Sequence, residues 1–273
     1  MTPSSHAFVR RLLAATLLVS GSACATIPET SAPRPGVSAS VLPEPEREWA
    51  TLRGLARLSV AGPAGSGSAS QAVLVALPDR GRLESLTPLG TTAAVVVVAG
   101  DEVRYHSVVN REYATGRATR ETVERLIGIP VPPGPLLRLL AGLPPLPVRL
   151  QDPRTQVSLE GGVQRVETVE GLLWQRIHFP TPPAAGAVRG ELGDAGGPVL
   201  HFAWDAWRAV GEVMFPHTLR LAGGGREARL DLTYEWVRLG EALDPSLFVL
   251  PRPTEPGLRV VEFGEGPALR PAP

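Results

Sequence analysis

Lysine is missing from this sequence altogether, and every basic side chain outside the histidines is arginine. Such a bias follows from GC-rich codon usage and points to no function of its own. The 27 basic residues are matched by 27 acidic ones, so no cationic excess marks a nucleic-acid binder. Cysteine occurs once, at Cys24, which excludes an internal disulfide. Histidine is scarce: positions 6, 106, 178, 201 and 217 hold all five, with no metal-ligand spacing such as HExxH. His201 and Asp205 read as a surface polar pair on a strand. Glu167 and Glu170 are carboxylates with no marked partner. No Gly-x-Ser-x-Gly elbow is present, and the Gly-rich turns lack the strand-to-helix setting of phosphate or dinucleotide loops. These absences argue against catalysis, a metal centre and a bound cofactor.

What is present begins at the N-terminus. Arg10 and Arg11 precede an apolar run at residues 12–21. Crossing a bilayer takes roughly 20 apolar residues, so this run reads as the core of a signal peptide. Gly21-Ser22-Ala23 then lead to Cys24. Small residues directly before a cysteine are the lipoprotein pattern, with cleavage before Cys24 and a diacylglycerol on its thiol. An ordinary secretion signal reads the same residues, because Ala23-Cys24-Ala25 is also a small-x-small cleavage site. Lipidation removes the liability of an exposed, unpaired thiol in an oxidising compartment. Ala25, where an aspartate would argue for inner-membrane retention, directs the expected address to the outer membrane, facing the periplasm.

The remaining chain divides by composition. Residues 24–43 are Thr-, Ser-, Pro- and Ala-rich and read as a flexible tether. Residues 44–255 read as one globular domain, and 256–273 as a weakly ordered tail. A short helix is expected over 44–55. Strands are expected over 55–61, 70–77, 82–87, 91–99, 102–109, 156–159, 163–169, 172–179, 199–204, 212–221 and 228–239. The four consecutive valines, Val95 to Val98, mark a buried strand. Thr119 can cap a helix that Gly128 closes, with Val123, Leu126 and Ile127 on one face. A second helix over 135–141 carries Leu136, Leu137, Leu139 and Leu140 around most of its circumference, so it must be buried or line something apolar. Residues 180–198 read as a long loop, and the tryptophans Trp174, Trp204, Trp207 and Trp236 as sheet packing. Short connections imply antiparallel pairing. The simplest assembly is one strongly curved antiparallel sheet with two helices inserted midway.

Several short motifs recur in a telling order: Trp49 in the opening helix, Gly54 before a strand, then Leu86-Thr87-Pro88-Leu89-Gly90. Glu121 to Ile127, Gly128-Ile129-Pro130-Val131-Pro132, a Leu-rich helix and Gly142-Leu143-Pro144 follow. In this order, residues 49–144 resemble LolB, the outer-membrane receptor for lipoproteins. More loosely, Phe215-Pro216 and the ending Leu247-Phe248-Val249-Leu250-Pro251 resemble the wider LolA/LolB-like superfamily. The resemblance implies a mainly β fold, an open, strongly curved antiparallel barrel of about eleven strands with inserted plug helices. It implies a binder of the acyl chains of lipoproteins or lipids that performs no covalent chemistry. Such a protein receives its cargo from a LolA-like periplasmic carrier and helps insert it into the outer membrane. The turn Pro88, Leu89 and Gly90 matches the protruding loop that promotes insertion, and a Leu89 folded back onto the core is the opposite expectation. Val95, Val97, Leu126, Leu136, Leu139 and Leu140 are the acyl-chain cavity candidates, and an ordinary solid core is the alternative for each. Two other roles suit the same fold: a binder or sensor of envelope lipids without a sorting role, and a structural or protein-interaction lipoprotein with a filled barrel.

Overall fold

The computed structural model describes residues 49–62, 65–160, 162–180, 188–223 and 228–263; the signal segment, Cys24 and the expected tether lie outside them. Within the described residues β-structure dominates. The first six strands are β1 (Thr51–Gly62), β2 (Gly65–Ala76), β3 (Arg80–Leu86), β4 (Thr92–Ala99), β5 (Glu102–Ser107) and β6 (Glu112–Arg117). Two helices follow, α1 (Arg120–Ile127) and α2 (Pro133–Leu140). The chain then returns to strands: β7 (Thr155–Glu160), β8 (Val163–Glu170), β9 (Leu173–Pro180), β10 (Val188–Asp194), β11 (Gly197–Val210), β12 (Val213–Gly223) and β13 (Arg229–Leu239). A 3-10 turn (Pro245–Phe248) and β14 (Arg259–Glu262) complete it.

All fourteen strands belong to one sheet, ordered β14-β6-β5-β4-β3-β2-β1-β13-β12-β11-β10-β9-β8-β7. Neighbours pair antiparallel, as the short connections require, except β14, which lies parallel to β6. The sheet is open and curved, with both helices entering between its two outermost regions. Arg120, just after β6, pairs with Asp194 at the end of β10, nine places away in the strand order. In a flat sheet, nine spacings separate such residues by roughly 43 Å. A contact of 2.6 Å therefore measures how far the sheet curls back on itself.

Alternation along each strand divides the apolar residues between two faces. The concave face carries Leu52 and Ala56 of β1, Val73 and Val75 of β2, and Leu230, Leu232 and Tyr234 of β13. The leucines of α2 join that main core. On the other face, Val95 and Val97 form a second cluster with Tyr113, Phe248 and Leu250. Residues 243–258 cross this outer face as a strap, anchored where Arg82 Nη1 donates to Leu247 O (3.0 Å) and Arg104 Nη1 to Leu250 O (3.3 Å).

Five expectations are corrected. Residues 51–55 extend as the start of β1, not as helix, and Gly54 lies inside that strand. β6 was not foreseen. The supposed loop at 180–198 contains β10 and the start of β11. The tail contributes β14, and the strand number exceeds eleven. Gly190 and Gly193 sit inside β10, each with an aromatic ring crossing it. A Cβ on Gly190 meets the Phe202 ring at 2.3 Å, and one on Gly193 meets the Trp174 ring at 2.2 Å.

Candidate functional site

The candidate site is the concave face and the two helices that cover it. α1 starts where the Thr119 hydroxyl accepts from the Thr122 amide. It stops at Gly128, whose φ of 77° lets its N–H return to Glu124 O. Thr122 and Val123 are buried, and Leu126 packs with Ala94, Val96, Tyr105 and Ala114 at the β4–β6 end of the sheet. α2 begins at Pro133 with no side-chain cap and holds its place through leucines. Leu137, Leu139 and Leu140 are buried in the main core, with Leu136 half-buried beside them.

Three side chains pin the end of α2 and the segment after it: Trp49 just before β1, Tyr234 of the neighbouring β13, and Gln175 of β9. Trp49 Nε1 donates to Ala141 O (3.1 Å), and Tyr234 Oη donates to Leu140 O (2.7 Å). Gln175 both accepts from the Leu146 amide (2.8 Å) and donates to Leu146 O (2.9 Å). Burial pushes the Tyr234 hydroxyl well above the usual phenol range, which keeps it a donor. Arg138, itself buried, donates Nε to Pro144 O (2.7 Å). Glycines make the close approaches possible. Gly142 has φ of 75°, and a Cβ there would meet the Phe215 ring at 2.8 Å. Gly54 leaves room for the Tyr234 ring, and Gly81 for Leu137. Among the motif residues, Trp49, Gly54, Gly128 and Gly142 thus have a mechanical reason in the plug.

Electrostatics adds one tie. The Arg120 guanidinium, helped by the Gly196 amide, holds the Asp194 carboxyl below the usual carboxylate range, fastening the start of α1 to β10. Among the described residues five buried side-chain atoms have no hydrogen-bond partner: Gln71 Oε1, His106 Nε2, Glu112 Oε1, Arg165 Nε and, in the main core, Trp204 Nε1. A buried donor left unpaired is costly, and a carbonyl group of a bound molecule would satisfy it.

The structure separates the six cavity candidates. Leu136, Leu139 and Leu140 come together in the main core, and Leu126 lies with Val96 under α1. Val95 and Val97 point the other way, beneath the strap, because residues adjacent along a strand face opposite sides. Sequence reasoning placed Trp49 in a helix, and missed that it, Tyr234 and Gln175 act as pins; an indole, a phenol and an amide among apolar neighbours were the available signal.

Pro88, Leu89 and Gly90 form a separate feature, the turn between β3 and β4. Gly90 N donates to Thr87 O (2.8 Å), Thr87 N to Thr91 O (2.8 Å), and the two threonine hydroxyls meet at 2.8 Å. Gly90 takes φ of 78°, and Leu89 projects from the closed turn with 91% of its surface exposed. It does not fold back onto the core.

Among the described residues, no group of His, Cys, Asp and Glu is placed to hold a metal ion. None of their helices is long and apolar enough to cross a membrane. Neither a protein-family model nor a curated protein matches the sequence. Solved structures align with it by fold. A LolA superfamily protein from Nitrosomonas europaea aligns at 9% identity and a TM-score of 0.48, covering 74% of this chain and 91% of that one. A putative outer membrane lipoprotein-sorting protein domain from Vibrio parahaemolyticus aligns at 11% and 0.48, covering 75% and 93%. A DUF1329 family protein from Desulfovibrio piger aligns at 8% and 0.47, covering 74% and 90%.

Proposed function

We propose that this protein is a lipid-anchored periplasmic binder of acyl chains that receives lipoproteins or lipids and helps insert them into the outer membrane. One observation carries the reading: among the described residues, a curved, largely apolar sheet face is covered by two eight-residue helices and a loop and not by a second sheet. The energies suit a displaceable plug. The contacts from Trp49, Tyr234 and Gln175 contribute roughly 1 kcal/mol per hydrogen bond. An acyl chain burying about fourteen methylenes gains about 11 kcal/mol, at ~0.8 each. A chain entering beneath α2 outweighs the pins, and the displaced leucines re-bury against it. Trp204 Nε1 would then find an ester or amide carbonyl. Leu89 supplies a contact to the receiving membrane, and Cys24 the anchor. Burying one leucine is worth only ~1.5–3 kcal/mol, so Leu89 positions the protein and cannot set the direction of transfer.

A second reading, a filled barrel that binds a protein partner, is favoured by how closely Leu137 is seated against Gly81. Native mass spectrometry of residues 25–273, with uptake of a fluorescent fatty acid, separates the two. Co-purified lipid and saturable uptake, abolished by Leu139→Glu or Leu140→Glu, support the binder. A clean apo mass and no uptake by the wild type would overturn it. Leu89→Glu should retain uptake yet deliver bound lipid to liposomes more slowly.

A further inference from the structure

A polar row crosses the concave face. Cross-strand register lines up Gln71 of β2, Ser85 of β3, Ala94 of β4, Ser107 of β5 and Glu112 of β6. Gln71 shares its face with Val73 and Val75, two and four residues along the strand and both in the main core. The next row of that face, from Val73 through Leu83, Val96 and Tyr105 to Ala114, is apolar apart from one phenol. Gln71, Ser107 and Glu112 are nevertheless only 5%, 0% and 3% exposed. Leu126 of α1 packs against Ala94, between the two serines. This stretch of the row therefore lies under one of the two covering helices.

Ser107 Oγ accepts from the Asn110 amide (3.1 Å). One Glu112 oxygen is held by Arg259 across the β6–β14 pair, so the carboxylate charge is compensated. Gln71 Nε2 donates to Ser85 Oγ (2.7 Å), which fixes the side chain in place. Gln71 Oε1 has no donor among the described residues. A buried acceptor left open costs stability, and an apolar side chain of the same length would fill the position without that cost. In a flat sheet four spacings put roughly 19 Å between Gln71 and Glu112, so one small group cannot answer both open oxygens. Gln71 is the one that sits among the core strands with no charge partner.

We infer that Gln71 Oε1 is the acceptor for a hydrogen-bond donor carried beside the acyl chain of the bound lipid, so that the concave face selects chains linked through an N–H, or flanked by a free hydroxyl, over donor-free esters. The inference rests on the proposed function for the presence of a bound chain, and adds what the chain must carry. Trp204 Nε1 accommodates the carbonyl of an ester and an amide alike. Gln71 separates them. A ligand without a donor leaves its oxygen buried and unanswered, and a site built to hydrogen-bond a group rejects the analogue that lacks it.

Displacement of a fluorescent fatty acid from residues 25–273 tests this with two matched pairs of one chain length. N-methylpalmitamide has one N–H; N,N-dimethylpalmitamide keeps the carbonyl and has none. Monopalmitoylglycerol has hydroxyls; methyl palmitate has none. The wild type should bind the donor-bearing member of a pair about fivefold more tightly. Gln71→Met keeps the length of the side chain and removes the oxygen. It should retain the fluorescent probe and bind both members of each pair alike. A preference confined to the first pair assigns an amide N–H as the group selected, one confined to the second assigns a hydroxyl, and a preference in both assigns either donor. Unchanged melting temperature shows that the variant is folded, and Gln71→Leu serves where Gln71→Met is not. Equal affinities within both pairs in the wild type, or a preference that survives loss of the Gln71 oxygen, would overturn the inference while normal uptake leaves the proposed function standing. Wild-type protein that takes up no fatty acid would sink both.

Discussion

Replacing Gly81 by alanine drives a methyl group into Leu137. The added Cβ lies 2.2 Å from Leu137 Cδ2, whereas ordinary contact begins near 3.4 Å, so Leu137 must retreat by about 1.2 Å. It has little room to do so, being 2% exposed and carried on a helix whose end is pinned by Trp49 and Tyr234. Overpacking of this kind costs about 1–3 kcal/mol, and the loss of glycine's freedom in the unfolded chain returns ~0.4–1 of it. Gly81→Ala should therefore destabilise by about 0.5–2 kcal/mol. Leu137→Ala alone leaves a hole and should cost about 2–5 kcal/mol. Together, the new methyl partly fills the hole and meets no leucine, so the double variant should be more stable than the sum of the singles by at least ~1 kcal/mol. Urea unfolding followed by tryptophan fluorescence measures all three. Additivity within ~0.5 kcal/mol would show that the two residues do not meet, and that α2 is not seated on β3.

Tyr234→Phe removes the donor to Leu140 O and leaves a buried carbonyl unsatisfied; a loss of about 1–3 kcal/mol in the same urea assay is expected, with faster fatty-acid uptake if α2 moves to admit it. Asp194 is depressed chiefly by Arg120, so its contribution is full above the ordinary aspartate range and disappears as pH falls through the lower folded value. The melting temperature of Asp194→Asn should thus lie below wild type at pH 7 and converge with it in strong acid; a constant gap across pH would refute the link. Cys24→Ser should abolish membrane retention in cell fractionation, and an unmodified mature N-terminus on the wild type would refute lipidation.

Legibility differed along the chain for identifiable reasons. The helices were readable because capping and apolar spacing are local: Thr119, Gly128 and the α2 leucines needed no distant partner. The turn at Leu89 was readable because Pro88 and Gly90 restrict the backbone themselves. The valine run declared a strand covered on both faces, but not what covers each. The cover for Val95 and Val97 is Phe248 and Leu250, about 150 residues later. β10 was hidden because Gly190 and Gly193 look like punctuation until Phe202 and Trp174 lie across them. The pins of the site were hidden for the same reason, since Trp49 and Tyr234 reach partners 92 and 94 residues away and Gln175 one 29 residues away.

β14 gives the domain boundary a practical meaning. Composition alone would end the domain at residue 255, and a chain cut there loses the strand that pairs with β6 from Arg259 to Glu262. Four residues of unpaired backbone on β6 would then face solvent, next to a Glu112 deprived of Arg259. An open strand margin of this sort recruits a second molecule, and the truncated protein would self-associate edge to edge. β14 itself is a poor template for that: it is four residues long, begins with arginine and ends with glutamate, and Pro256-Gly257 lie just before it. The short parallel strand is thus a guard on solubility, added where the sheet would otherwise stop.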